Sequence, residues 1–138
     1  MVETRAKRGY SSLQIGLHWT VAALVLLQFL ASGPIEDSWR AYVRQEAAPS
    51  DTGPTYLHIV TGLLIFGLAL WRIWLRMTRG VPALPANEPK ALRAVAHTTH
   101  FLIYALIIGM PISGSVAWFL GVEPAAAAHV LARNALLA

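Results

Sequence analysis

The stretch LQIGLHWTVAALVLLQFLA, residues 13–31, carries no charged side chain and a single histidine, His18. A helix needs roughly 20 predominantly apolar residues to cross the hydrocarbon core of a bilayer, and this stretch supplies them. Its reading fixes the class of the whole chain. The 138 residues are 56% hydrophobic and only 13% charged, too apolar for a soluble globular domain of this length. The expected fold is therefore all-α: one transmembrane helical bundle filling residues 1–138.

Outward from the first span, about 13–32, the pattern repeats. Residues 33–53 mix Pro34, Pro49, Asp37, Glu46 and Asp51 with Trp39, Tyr42, Arg40 and Arg44. That composition predicts an interfacial loop with aromatic anchors. A second span follows over about 55–74, with Pro54 suited to a first helical turn, where a missing N–H leaves nothing unpaired. It runs into Arg72, Arg76 and Arg79 and then the breakers Gly80, Pro82 and Pro85. A third span covers about 94–119, with a kink expected at Pro111. Beyond Glu123 there remain 15 residues, fewer than the roughly 17 needed to cross, so the remnant of a fourth helix is expected.

Orientation follows from the basic residues, because short cytoplasmic loops retain Lys and Arg. Arg5, Lys7 and Arg8 precede the first span, and Arg72, Arg76, Arg79, Lys90 and Arg93 flank the connection between the second and third. The connection between the first and second holds Arg40 and Arg44 against Glu36, Asp37, Glu46 and Asp51. The N-terminus is expected in the cytoplasm, and the first span suits an uncleaved signal anchor. The net charge of +4 sits in short blocks beside apolar runs rather than interleaved with aromatics on a polar face. Membrane lipid, not nucleic acid, is the partner such blocks suit.

With no cysteine in the chain, disulfides, iron–sulfur clusters and thioether-linked haem are excluded. Histidine is the strong metal ligand left. An ionisable side chain inside a span costs a few kcal/mol on insertion scales, which makes His18, His58, His97 and His100 functional candidates by default. A rise of about 1.5 Å per residue sorts them by depth. His18, His97 and His100 fall near the cytoplasmic surface; His58, and His129 in the C-terminal element, fall near the outer one. His18 and His58 are thus roughly 20 Å or more apart along the membrane normal and cannot share a small ligand.

Two layers of histidine in a helical bundle are what two stacked b haems require, since each iron takes imidazole nitrogens from facing helices. Other readings stay open on spacing alone. His18, beside Trp19, and His58, close to Tyr56, also suit interfacial histidines in an aromatic belt. His97 and His100 share a helix face, with Thr98, Thr99 and Arg93 nearby, and equally describe a wet helix entrance or donors to a propionate or quinone. His129, in an alanine-rich tail, also reads as a surface histidine. Arg72 and Arg76, four apart, signal topology or pair with haem propionates or anionic headgroups.

Four stretches together resemble the bacterial cytochrome b561 family: LQIGLHW at 13–19, YLH at 56–58 with GLL following at 62–64, RIWLRMTRGVPALP at 72–85, and AHTTHFLIYALIIGMPISG at 96–114. The resemblance covers residues 10–118. It implies a four-helix bundle in the bacterial inner membrane, carrying two b haems and exchanging electrons with the quinone pool. By that resemblance His18 ligates the inner haem and His58 the outer one, with the opposite ligands on a fourth helix. His129 corresponds to the first of those. A second, about 14 residues later, falls beyond Ala138, so the resemblance implies a member shortened in its fourth helix, holding two haems, one or none. His97, His100 or a second copy in a homodimer are the substitutes available for the inner ligand.

The expected function is electron transfer between quinone and a periplasmic or membrane redox partner, without a conventional substrate. The membrane anchor of a larger oxidoreductase such as a hydrogenase or formate dehydrogenase, and a haem-free remnant, are its alternatives. A histidine-lined path for a divalent ion is disfavoured because every carboxylate lies in a loop or tail.

Overall fold

The computed structural model describes residues 9–138 as five helices joined by short turns. The basic tail that carries Arg5, Lys7 and Arg8 lies outside the described residues. Helix α1 spans Ser12–Leu30, α2 Gly33–Val43, α3 Gly53–Arg79, α4 Lys90–Leu120 and α5 Glu123–Leu137. Three of them, α1, α3 and α4, are long and apolar enough to cross a membrane. In sequence order α1 packs on α3, α3 on α4 and α4 on α5.

Each boundary has a local cause. Ser11 caps α1 reciprocally: its hydroxyl accepts the Gln14 N–H while its own N–H reaches the Gln14 carboxamide oxygen at 3.0 Å. Helix α3 opens with Pro54 in its first turn and closes at Gly80, whose φ of 74° is available to glycine at no steric cost. At 27 residues α3 is about 40 Å long, enough to pass through the hydrocarbon core and carry its terminal arginines into the headgroup region. Helix α4 runs unbroken through Pro111, a tolerance common where neighbouring helices satisfy the freed backbone groups. It ends on Gly121 in the left-handed region (φ 67°), whose N–H donates to the Ala117 carbonyl at 2.9 Å.

One expectation needs correction. The segment read as a loop with aromatic anchors is helical over Gly33–Val43. Pro34 occupies the first turn, where it costs no hydrogen bond, and the charges of Glu36, Asp37 and Arg40 are accommodated on the exposed side while Ser38 and Ala41 are buried. The Ser38 and Thr55 hydroxyls share a buried hydrogen bond of 2.7 Å that ties α2 to the first turn of α3. Trp39, Tyr42 and Trp118 stack alongside, with ring centres 5.5 to 6.5 Å apart.

The protein buries little of its apolar surface against itself. Leu30, Val60, Phe101 and Leu120 are all more than 60% exposed, and Leu75 and Val21 are among the few large apolar side chains fully enclosed. In water such a surface would aggregate. In a bilayer it faces acyl chains, and the helices are held by close packing and a few interhelical hydrogen bonds.

Candidate functional site

The histidines separate into two groups. At one end of the bundle, His58 on α3 and His129 on α5 face each other across a largely apolar cavity, with ring centres 6.2 Å apart and planes at 71°. Fourteen residues along α3, about 21 Å by helical rise, Arg72 meets His18 of α1. His58 and His129 thus lie at one end of the bundle and His18 at the other.

The His58–His129 pair is held by contacts from two other helices, α4 and α1. His129 Nδ1 donates to the Met110 carbonyl at 2.8 Å, which fixes the proton on that nitrogen and leaves Nε2 as the one with a lone pair. Ser113 reinforces the spot, its hydroxyl donating to the same carbonyl at 3.0 Å and lying 3.4 Å from His129 Nδ1. The ring approaches α4 this closely because residue 114 is glycine: a Cβ there would sit 3.1 Å from the imidazole. On the other side, the Gln28 amide of α1 donates to the His58 carbonyl at 2.8 Å and fits in the space left by Gly62. His58 Nδ1 is buried with no hydrogen-bond partner. Such an orphan costs about 1–3 kcal/mol.

At the cavity edge Arg133, one turn past His129, pairs with Glu36 of α2 at 2.7 Å and links the last helix to the amphipathic one. Gln28, Glu36 and Arg133 were not singled out from the sequence as site residues. The signal for Gln28 was present, a polar group within a membrane span, but its target lies on another helix.

The inner group differs in kind. An arginine guanidinium can only donate, so the 3.1 Å contact makes His18 Nδ1 an acceptor from Arg72. The His18 proton then sits on Nε2, the reverse of His129. Arg72 also lies 5.7 Å from the centre of the Tyr104 ring, which places Arg72 between α1 and α4. His97 and His100 line a separate groove with Tyr104 and Arg76. Among the described residues no hydrogen bond or ring contact joins either to His18, and His100 Nδ1 is engaged by the Ala96 carbonyl at 2.6 Å.

The outer geometry can be tested against a haem. Two imidazoles on opposite sides of one metal, each with a metal–nitrogen distance of about 2 Å, have ring centres about 6 Å apart. The observed 6.2 Å fits that spacing. Among the described residues no three His, Cys, Asp or Glu side chains converge, so the chain's own contribution is a pair of imidazoles. A pair suits a metal whose other ligands come with it, as in a porphyrin.

The chain matches the family model for prokaryotic cytochrome b561 over residues 9–138. It belongs to the prokaryotic cytochrome b561 family. Among curated relatives, cytochrome b562 of Cereibacter sphaeroides is 39% identical over 132 residues, which are 94% of this chain and 78% of that one. A probable superoxide oxidase CybB of Yersinia pestis is 30% identical over 107 residues, 76% of this chain and 55% of the relative, so the match spans about half of that protein. No solved structure matches. Membership of the cytochrome b561 family makes this a b-type membrane cytochrome, with haem b as the implied group and electron transfer as the implied activity. Its three apolar helices fit a bacterial inner membrane.

Proposed function

We propose that this chain is a membrane electron carrier with one b haem held between His58 and His129 in the outer half of the bundle, the N-terminus being cytoplasmic. The observation that carries the reading is the facing imidazole pair at 6.2 Å. A haem bound there supplies a one-electron iron couple whose potential the protein adjusts. The chain's residues do the adjusting. The Met110 carbonyl keeps the proton on His129 Nδ1 and raises the basicity of Nε2. Gln28 fixes the turn of α3 that bears His58, and the Arg133–Glu36 pair sets the charge at the cavity edge.

His18, which the family resemblance makes an inner ligand, is engaged by Arg72 through Nδ1 and presents a protonated Nε2. For that reason the proposal counts one haem. The family supports electron exchange with quinone inside the membrane and with a partner on the periplasmic side. Superoxide, which the Yersinia relative's name gives as its substrate, is the first small one-electron donor to try.

The test is the reduced-minus-oxidised absorption spectrum of the detergent-purified full chain, with haem per chain from the pyridine adduct. A low-spin b-type spectrum near one haem per chain, lost in His58→Ala and in His129→Ala, is expected. Unchanged haem in either variant rejects the ligand pair, and an inserted, monodisperse chain without haem rejects the function.

A further inference from the structure

The outer cavity leaves unexplained the groove at the other end of the molecule, on the seam between α3 and α4. Its α4 wall recurs at helical spacing, from His97 through Phe101, Ala105 and Ile108 to Gly109, and α3 contributes Ile73 and Arg76. We infer that this groove binds an anionic phospholipid, with the phosphate at Arg76, His97 and His100 and an acyl chain along the apolar part.

The chemistry is graded along the groove. Its basic end holds Arg76, His97 and His100, whereas Ala105, Ile108 and Gly109 offer no polar side chain. From His97 to Gly109 is twelve residues, about 18 Å of helix, which is close to the depth of hydrocarbon in one leaflet, about 15 Å. An amphiphile with its head at the interface and its tail toward the midplane matches that length. Gly109 leaves open space, since a Cβ added there meets nothing within 4 Å.

Charge selects the head. Residues 72–93 contain five basic side chains and one acidic one, Glu88, a local balance of +4 with histidines neutral. Among the described residues Arg76 and His97 have no hydrogen bond or ion pair to the protein. His100 has Nδ1 committed to the Ala96 carbonyl, so its other nitrogen remains for a ligand. A guanidinium matches the two oxygens of a phosphate diester in a forked hydrogen bond, and basic pockets between membrane helices on this side recognise such headgroups. A quinone head is neutral and takes only hydrogen bonds from such a cluster, whereas a phosphate diester also takes its charge. Trp74, 58% exposed and two residues before Arg76, adds an interfacial ring at the same depth.

The inference depends on the helices spanning a membrane and not on the haem, so either can fail alone. The experiment is native mass spectrometry of the full chain released from nanodiscs, titrated with phosphatidylglycerol and, separately, phosphatidylcholine. The wild type should retain one phosphatidylglycerol in preference to phosphatidylcholine. Arg76→Gln should bind it about fivefold more weakly, whereas Arg44→Gln, at the opposite end, should not change it. Gly109→Leu, which fills the tail end and keeps every charge, should weaken retention of the lipid while leaving the preference for the anionic head. Equal retention of the two lipids overturns the assignment, as does unchanged phosphatidylglycerol binding in both groove variants. Stoichiometric quinone extracted from the wild type and lost in Arg76→Gln overturns it in favour of a quinone site.

Discussion

The two ends of the bundle hold histidine in opposite tautomers. At the end that holds His58 and His129, a backbone carbonyl accepts the His129 Nδ1–H and leaves the lone pair on Nε2; at the opposite end Arg72 donates to His18 Nδ1, so the His18 proton sits on Nε2. The same residue type thus keeps a free Nε2 lone pair in one place and serves as an arginine's acceptor through Nδ1 in the other. The partner, not the histidine, decides.

The largest effect should come from removing the outer imidazoles. His58→Ala or His129→Ala is expected to abolish stoichiometric haem, whereas His18→Ala leaves haem per chain and the absorption bands unchanged. Loss of haem in the His18 variant would erase the difference between the two ends. Next is Gly114→Leu, which drives a side chain into the space where the imidazole packs. Overpacking of this kind costs about 1–3 kcal/mol, and here it also pushes His129 from the Met110 carbonyl. The expected result is haem bound several-fold more weakly, with a lower thermal midpoint.

A smaller effect is expected of Gln28→Leu. The interhelical hydrogen bond it removes is worth about 0.6–2 kcal/mol in a membrane, so thermal unfolding followed by circular dichroism should shift by a few degrees with haem retained. Smallest are Arg133→Gln and Glu36→Gln, because the pair is partly exposed. Removing the cation should lower the midpoint potential and removing the anion should raise it. Each shift should be a few tens of millivolts, the size of about 1 kcal/mol or less in a one-electron couple. Shifts of the same sign in a redox titration would show that the pair acts through structure rather than charge.

The mistaken loop is instructive beside the correctly placed spans. Long uncharged runs are decisive because nothing else satisfies a backbone in hydrocarbon, whereas residues 33–43 mix proline, charges and aromatics in a way that suits a loop and an interfacial helix equally. What settles α2 is its neighbour: Ser38 bonded to Thr55, and Trp39 and Tyr42 stacked near Trp118. His129 is a similar case. In an alanine-rich tail it resembles a surface residue, and it packs against α4 opposite His58 because α4 offers a carbonyl at Met110 and a gap at Gly114.

By itself the sequence determined the three spans, the separation of the histidines along them and the family, because helical rise converts residue number into distance along a span. Only the tertiary structure decided which histidine meets which, that Arg72 engages His18, and that Gln28 and Glu36 border the outer pair. Those facts depend on the rotation of each helix about its own axis. In a soluble protein the apolar stripe reveals that rotation; here lipid accepts apolar side chains on every face, and packing between helices sets it instead.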